Sequence, residues 1–138
     1  MKNTIPVFTK TGKMIPVTIA AANTASDGSG TLVTCVTAGA DGTRIDGLKI
    51  TNGQVTPAAS SAMVVRVFVT DTSGLNAKLV GEIALPAATR TASVVGSTNT
   101  LTFSPALILE SGQLLRVAQS VYAGAQDTNS VIAYAGDY

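Results

Sequence analysis

The chain has 138 residues, nine basic and eight acidic for a net charge of +1; 46% are apolar, 12% are charged, and there is one Cys but no His or Trp. A domain of this size hides about two thirds of the surface its unfolded chain exposes, so one core suffices without a metal or disulfide staple. The balanced charge lacks the basic footprint of a nucleic-acid binder, and the lone Cys35 cannot close an intrachain disulfide. Without imidazole, Ser-His-Asp and Cys-His catalysis fall away, as do ordinary zinc sites.

Thr, Val and Ile supply 42 residues, against 15 for Glu, Lys, Arg and Gln together. β-Branched side chains suit a pleated sheet, and the long polar residues that solvate helix surfaces are scarce, so the composition predicts an all-β protein.

At the N-terminus, Met14 to Ala22 leans apolar behind Lys2, Lys10 and Lys13, the outline of a signal peptide. The stretch is short and holds Pro16 and Thr18, which makes secretion the weaker reading. No segment reaches the ~18 apolar residues of a membrane span. The echo Ile5-Pro6-Val7 and Ile15-Pro16-Val17, ten residues apart around Lys10 to Lys13, instead predicts an edge hairpin or arm turning at Gly12 over residues 1–26. Edge strands are where chains meet neighbours.

Asn23 to Gly30 is small and polar and predicts a turn into a main body over residues 27–138. Thr31 to Thr37 and Thr43 to Thr51 read as strands. In the second, Ile45 is out of phase with Leu48 and Ile50 unless a bulge at Gly47 restores all three to one face. Met63 to Val69 is apolar on both faces except at Arg66, so it belongs in the middle of a sheet, its second face covered by the chain itself or by another subunit. From Lys78 to Leu85 the alternation puts Leu79, Ile83 and Leu85 inward and Lys78 and Glu82 outward, until Pro86 stops the strand. Thr100 to Ser104 reads as a short strand, Pro105 to Leu109 as an apolar turn-over segment, Gln113 to Val121 as a strand with Leu115 and Val117 inward, and Ser130 to Ala135 as the closing strand. Seven or eight strands between Gly, Asn, Asp and Ser turns predict one antiparallel β-sandwich or jelly roll.

Candidate sites are sparse. Asp27-Gly28-Ser29-Gly30 lacks the third glycine and the following helix of a phosphate loop. Asp27, Asp41, Asp71 and Asp127 fall in or beside turns, where carboxylates bond nearby amides. No two acids carry a glycosidase signature, and no dense Asp/Asn ladder marks calcium. Sugar-stacking aromatics are limited to Tyr122, Tyr134 and Tyr138. Arg44 and Asp46 form a candidate exposed pair. The residues thus predict no enzyme, no cofactor and no metal.

Taken in order, Gly42-Thr43-Arg44-Ile45-Asp46, Arg66-Val67-Phe68-Val69, Glu82-Ile83-Ala84-Leu85-Pro86, Leu109 through Gly112 to Leu115, and Ala135-Gly136-Asp137-Tyr138 resemble small structural proteins of tailed bacteriophages and prophages. In these a single β-sandwich serves as a capsid decoration, or cement, protein or related virion component. The resemblance runs from about Asn23 to Tyr138; the Pro-containing arm lies outside it. It implies a homotrimer on the capsid surface, made in the host cytoplasm, whose partner is the major capsid protein, with no nucleic acid and no membrane. Contact with the capsid or a neighbour is then expected at Ile5, Pro6, Val7, Phe8, Ile15, Pro16, Val17 and Ile19, and a subunit interface at Arg66, Phe68 and Tyr138. The competing expectation is a tail or fibre component, or a carbohydrate- or host-binding module on the same kind of sandwich.

Overall fold

A computed structural model describes residues 9–52 and 58–138. Its strands are β1 (Thr11–Ile19), β2 (Val33–Thr37), β3 (Thr43–Asn52), β4 (Ala58–Ala59), β5 (Met63–Thr70), β6 (Lys78–Leu85), β7 (Thr89–Arg90), β8 (Thr98–Leu109), β9 (Leu114–Gln119) and β10 (Asn129–Asp137), with one short 3-10 turn at Ala125–Asp127. Two four-stranded antiparallel sheets pack face to face: sheet I in the order β1-β10-β3-β8 and sheet II in the order β2-β9-β5-β6, with β4 and β7 forming a small separate ladder. The all-β sandwich expected from composition is what forms.

The pairing is nested. β5 pairs with β6, β3 with β8, β2 with β9 and β1 with β10. The chain is therefore one long hairpin folded over on itself, its successive paired layers falling alternately in sheet II and sheet I, which is the winding of a jelly roll. Inward-facing residues of both sheets make one core: Ile19, Ile45, Leu48, Ile50, Leu109, Val131 and Ala133 from sheet I meet Val36, Val65, Val67, Ile83, Leu85, Leu115 and Val117 from sheet II. Both sides of the sandwich draw together at β6 and β8, where Asn99 Nδ2 donates to the Ala84 carbonyl at 3.0 Å.

The period-2 pattern is kept in phase by bulges. In β3 the register slips between Ile45 and Gly47 against both neighbours, so Asp46 is the extra residue and Ile45, Leu48 and Ile50 are all fully buried, as the sequence predicts. A Cβ on Gly47 would stand 2.4 Å from the Leu101 carbonyl oxygen, so β8 can approach only a glycine there. β5 lies inside sheet II, as its two apolar faces require.

Four expectations are corrected. Gly12 is not a turn: β1 runs straight through it, paired with β10 from Thr11↔Asp137 to Ile19↔Asn129, because Ile15, Val17 and Ile19 give it a continuous inward face. Residues 11–19 are thus an edge strand of the sandwich and not part of an arm. Leu79 points outward, 44% exposed, because the register slips between Val67 and Phe68 and sends Val80 toward the core in its place. Thr98–Leu109 is one strand, interrupted where Phe103, Ser104, Pro105 and Ala106 loop out between the rungs Gly47↔Thr102 and Ile45↔Leu107.

Candidate interaction surface

Most polar side chains with the chemistry to form a site are committed to the fold. At the end of the sandwich where β3 finishes and β10 begins, Asn129 Nδ2 donates to Gln119 Oε1 at 2.7 Å, Asn52 Nδ2 donates to Asn129 Oδ1 at 2.9 Å, and Gln119 Nε2 donates to the Asp127 and Val121 carbonyls at 2.9 and 3.0 Å. Asn52, Gln119, Asp127 and Asn129 are each at most 2% exposed. A buried amide set satisfied this fully fixes strand register and leaves no valence for a ligand.

The carboxylates behave the same way. Asp127 accepts from the Ser61 amide (2.7 Å), the Ala123 amide (2.7 Å) and the Ser61 hydroxyl (3.0 Å). Burial pushes its pKa up, but these donors outweigh burial and hold it below the ordinary carboxylate value. Asp71 organises the β5–β6 turn by accepting from the amides of Ser73 and Leu75 and from Asn76, and is lowered by the Leu75 amide above all. Asp27 is lowered by the hydroxyl and amide of Ser29. Asp137 is lowered first by Lys13, with which it forms an ion pair, and then by Thr43, whose hydroxyl donates to it at 2.5 Å. Burial pushes the Cys35 thiol up to about 12, so it is no nucleophile. Among the described residues no three His, Cys, Asp or Glu gather where they could hold a metal.

The arginines tie loops down. Arg66 Nε donates to Glu82 Oε1 at 2.9 Å and its Nη1 to the Thr24 carbonyl at 3.3 Å; Arg116 donates to the carbonyls of Gly74 (3.1 Å) and Leu32 (2.8 Å). Together they fasten the 20–32 connection and the β5–β6 turn across the outer face of sheet II. Beneath these loops Phe68, Leu32 and Ala118 form a second small core, with Ala77 packed on it. Gly28 (φ 84°) comes so close that a Cβ there would meet Ala77 Cβ at 2.2 Å. The second face of β5 is therefore covered by the chain itself around Phe68. Further along, a shallow depression of about 440 Å³ stays open among Ala62, Val64, Ala84, Pro86 and Ser120.

The outer face of sheet I is built from the outward residues of its four strands. Successive rungs of β1 and β10 present Met14/Tyr134, Pro16/Ile132 and Thr18/Ser130 on it, with β3 and β8 continuing as Gly47/Thr102, Lys49/Thr100 and Thr51/Thr98. Met14 is 66% exposed, Ile108 53% and Tyr134 36%. The face is threonine-rich with an apolar stripe along β1 and β10; of its exposed ions Arg44 and Asp46 pair with one another at 2.8 Å, and Lys49 stands beside Ile132.

The residues expected to make contacts divide accordingly. Ile5, Pro6, Val7 and Phe8 lie outside the described residues. Ile15, Val17 and Ile19 face the core, Ile19 fully buried, so their side chains are not offered to a partner; of that set Pro16 alone points outward. Phe68 is likewise buried within the chain. Arg66 is mostly covered and already paired with Glu82, while Tyr138 is half-buried, its amide donating to the Gly42 carbonyl at 3.3 Å. These placements do not bring the expected residues together on one surface. The outward apolar residues of this edge that the sequence reading left out of its contact set are Met14, Ile132 and Tyr134, of which it had weighed Tyr134 only as a sugar-stacking aromatic. Their signal was present as phase: each is apolar yet alternates with the inward set Ile15, Val17, Val131 and Ala133.

No family model and no curated protein matches the chain. Among solved structures, one of infectious bursal disease virus, Gt strain, is similar over 92% of this chain at 16% identity and a TM-score of 0.28. The chain spans about a third (32%) of the length of that structure, and a likeness at that TM-score carries no argument. Among the described residues no helix is long and apolar enough to cross a membrane.

Proposed function

We propose that this chain is a virion structural protein, a capsid decoration protein that binds an assembled bacteriophage shell as a homotrimer and stabilises it, without catalysis. The observation that carries the reading is the division of labour just described: buried amides, carboxylates and arginines hold a rigid jelly roll, and the outer face of sheet I is left threonine-rich, with an apolar stripe along β1 and β10 and with Lys49 and the Arg44–Asp46 pair as its exposed ions. Such a face suits a contact whose strength comes from covered area and repetition. The fold is compatible, since jelly rolls serve in viral capsid and lectin domains, but fold alone does not assign function. The order of sequence motifs that resembles phage decoration proteins supplies the choice of shell.

On this reading the outward residues Met14, Pro16, Ile132 and Tyr134 take the role that sequence assigned to Ile15, Val17 and Ile19, together with the segment Ile5 to Phe8. Mass action supplies the mechanism: a protein that binds the assembled shell and not its free subunits shifts the equilibrium toward assembly. Co-sedimentation with shells lacking the protein is the test. Saturation at a fixed ratio of chain to capsid subunit, abolished by Met14→Asp with the fold retained, is the expected result. A chain that stays in the supernatant refutes the reading, and binding to host glycans instead transfers it to a tail or host-recognition module.

A further inference from the structure

The residues expected at a subunit interface are committed to the fold, but one end of the sandwich has the composition of a contact. Hydrogen bonds from the Asn52 amide to the Ser97 carbonyl (2.8 Å), from the Ser60 amide to the Ala88 carbonyl (2.8 Å) and from the Ser61 amide to Asp127 (2.7 Å) gather the segments 58–65, 84–97 and 119–128 there. The charged residues of those segments are Arg90 and Asp127. Asp127 is fully buried, and Arg90 Nη2 donates to the Asn52 carbonyl at 3.0 Å. Interface cores are depleted of charge in the same way, and two copies that meet at such an end bring almost no like charges together.

This end carries both a knob and a hollow. The knob is the loop between β7 and β8. Its Thr91 hydroxyl accepts from the amides of Ser93 (3.3 Å) and Val94 (3.1 Å), the Thr91 amide donates to the Val94 carbonyl (3.0 Å), and Gly96 lies so near β3 that a Cβ would stand 2.7 Å from the Asn52 carbonyl oxygen. The loop so held presents Val94 and Val95 at its tip, and Val95, 85% exposed, is the most exposed large apolar side chain of the described residues. The hollow is the depression of about 440 Å³ among Ala62, Val64, Ala84, Pro86 and Ser120. Its one polar side chain is engaged, since Ser120 Oγ accepts from the Val64 amide at 3.0 Å. The tip stands in solvent, so it does not fill the hollow of its own chain.

We propose that the Val94–Val95 tip of one copy seats in the hollow of the next, closing three copies into a ring. The proposal rests on the homotrimer of the reading above and gives it an interface. A three-fold rotation never brings a patch onto itself, so a cyclic trimer needs two different patches of one chain, as tip and hollow are. The tip is ordered before contact, which keeps the entropy lost on seating small, and covering two valines against an apolar lining supplies the driving force. The outer face of sheet I is left to the shell.

Light scattering on the purified full chain, without shells, reads the mass. Three chains are expected for the wild type and one chain for each of Val95→Glu and Ala84→Glu, both at exposed positions, with circular dichroism checking that the variants are folded. A wild-type mass of one or two chains, or a three-chain mass kept by either variant, overturns the proposal. Copies carrying Val95→Cys are then mixed with copies carrying Ala84→Cys and oxidised; Cys35 is buried and stays out of the reaction. A disulfide joining the two different variants is expected, and linkage between like copies only, or none, overturns the seating of tip in hollow. A trimer that ignores shells refutes the capsid reading alone, whereas a monomer that saturates shells refutes this contact alone.

Discussion

At the residue scale, the buried amide set behind β10 has the largest consequence. Asn129 both donates and accepts within it, so Asn129→Ala orphans the buried Gln119 Oε1 and Asn52 Nδ2. Each unsatisfied buried group costs about 1–3 kcal/mol, so urea unfolding of Asn129→Ala is expected to show a loss on the order of 3 kcal/mol; a loss under about 1 kcal/mol would contradict the network's role. The carboxylates set the acid limb. Asp127 and Asp137 have pKa values lowered in the fold, so the unfolded chain binds protons first as pH falls. Their stabilisation is complete above the ordinary carboxylate pKa near 4 and is lost as pH drops through the lower folded values. Stability measured from pH 6 to 3 is expected to hold to about pH 4 and then fall. Asp127→Asn should have a shallower acid limb, and an unchanged slope would remove Asp127 from the account. Cys35, buried and with its thiol pushed up to about 12, should stay silent to a thiol reagent at pH 8 until the chain unfolds.

At the element scale, bulges decide which side chains face the core. The β6 slip makes a paired prediction: Leu79→Asp, on the outer face, should shift stability by no more than about 0.5 kcal/mol, whereas Val80→Asp puts a charge toward the core and should cost at least about 2 kcal/mol. The reverse order in thermal or urea unfolding would restore the uninterrupted alternation. The same physics explains how much of the fold was legible. Composition and alternation were enough for the all-β class, the central position of β5, the inward Leu115 and Val117, and the bulge beside Gly47, because a glycine between out-of-phase apolar residues is a local signal. The slip at Val80 does have a glycine beside it, Gly81, as Asp46 has Gly47, but Leu79 already completed an unbroken alternation with Ile83 and Leu85, so nothing in the segment asked for a bulge; the excursion at residues 103–106 is set by the facing strand. Gly12 was misread as a turn because its partner, Gly136, is more than a hundred residues away. The interaction surface was harder still: Ile15 and Val17 were chosen for being apolar near an edge, when parity sends them inward and leaves Met14 and Pro16 outside. Deleting residues 1–22, which would strip β1 from β10 and uncover the core around Ile19, is accordingly expected to yield insoluble protein, whereas deleting residues 2–8 should leave the thermal transition cooperative.

At the scale of the whole molecule, the nested pairing makes the sandwich a closed unit whose loops are fastened by Arg66 and Arg116, and whose buried polar groups fix one packing of the sheets. The proposed work of such a body is thermodynamic: copies bound to the shell stabilise it by their free energy of binding. The most direct measurement of that claim is the disassembly temperature of shells lacking the protein, followed by light scattering as the purified chain is added. The temperature is predicted to rise and to level off at a fixed ratio of chain to capsid subunit. A temperature that does not move at any ratio would contradict it.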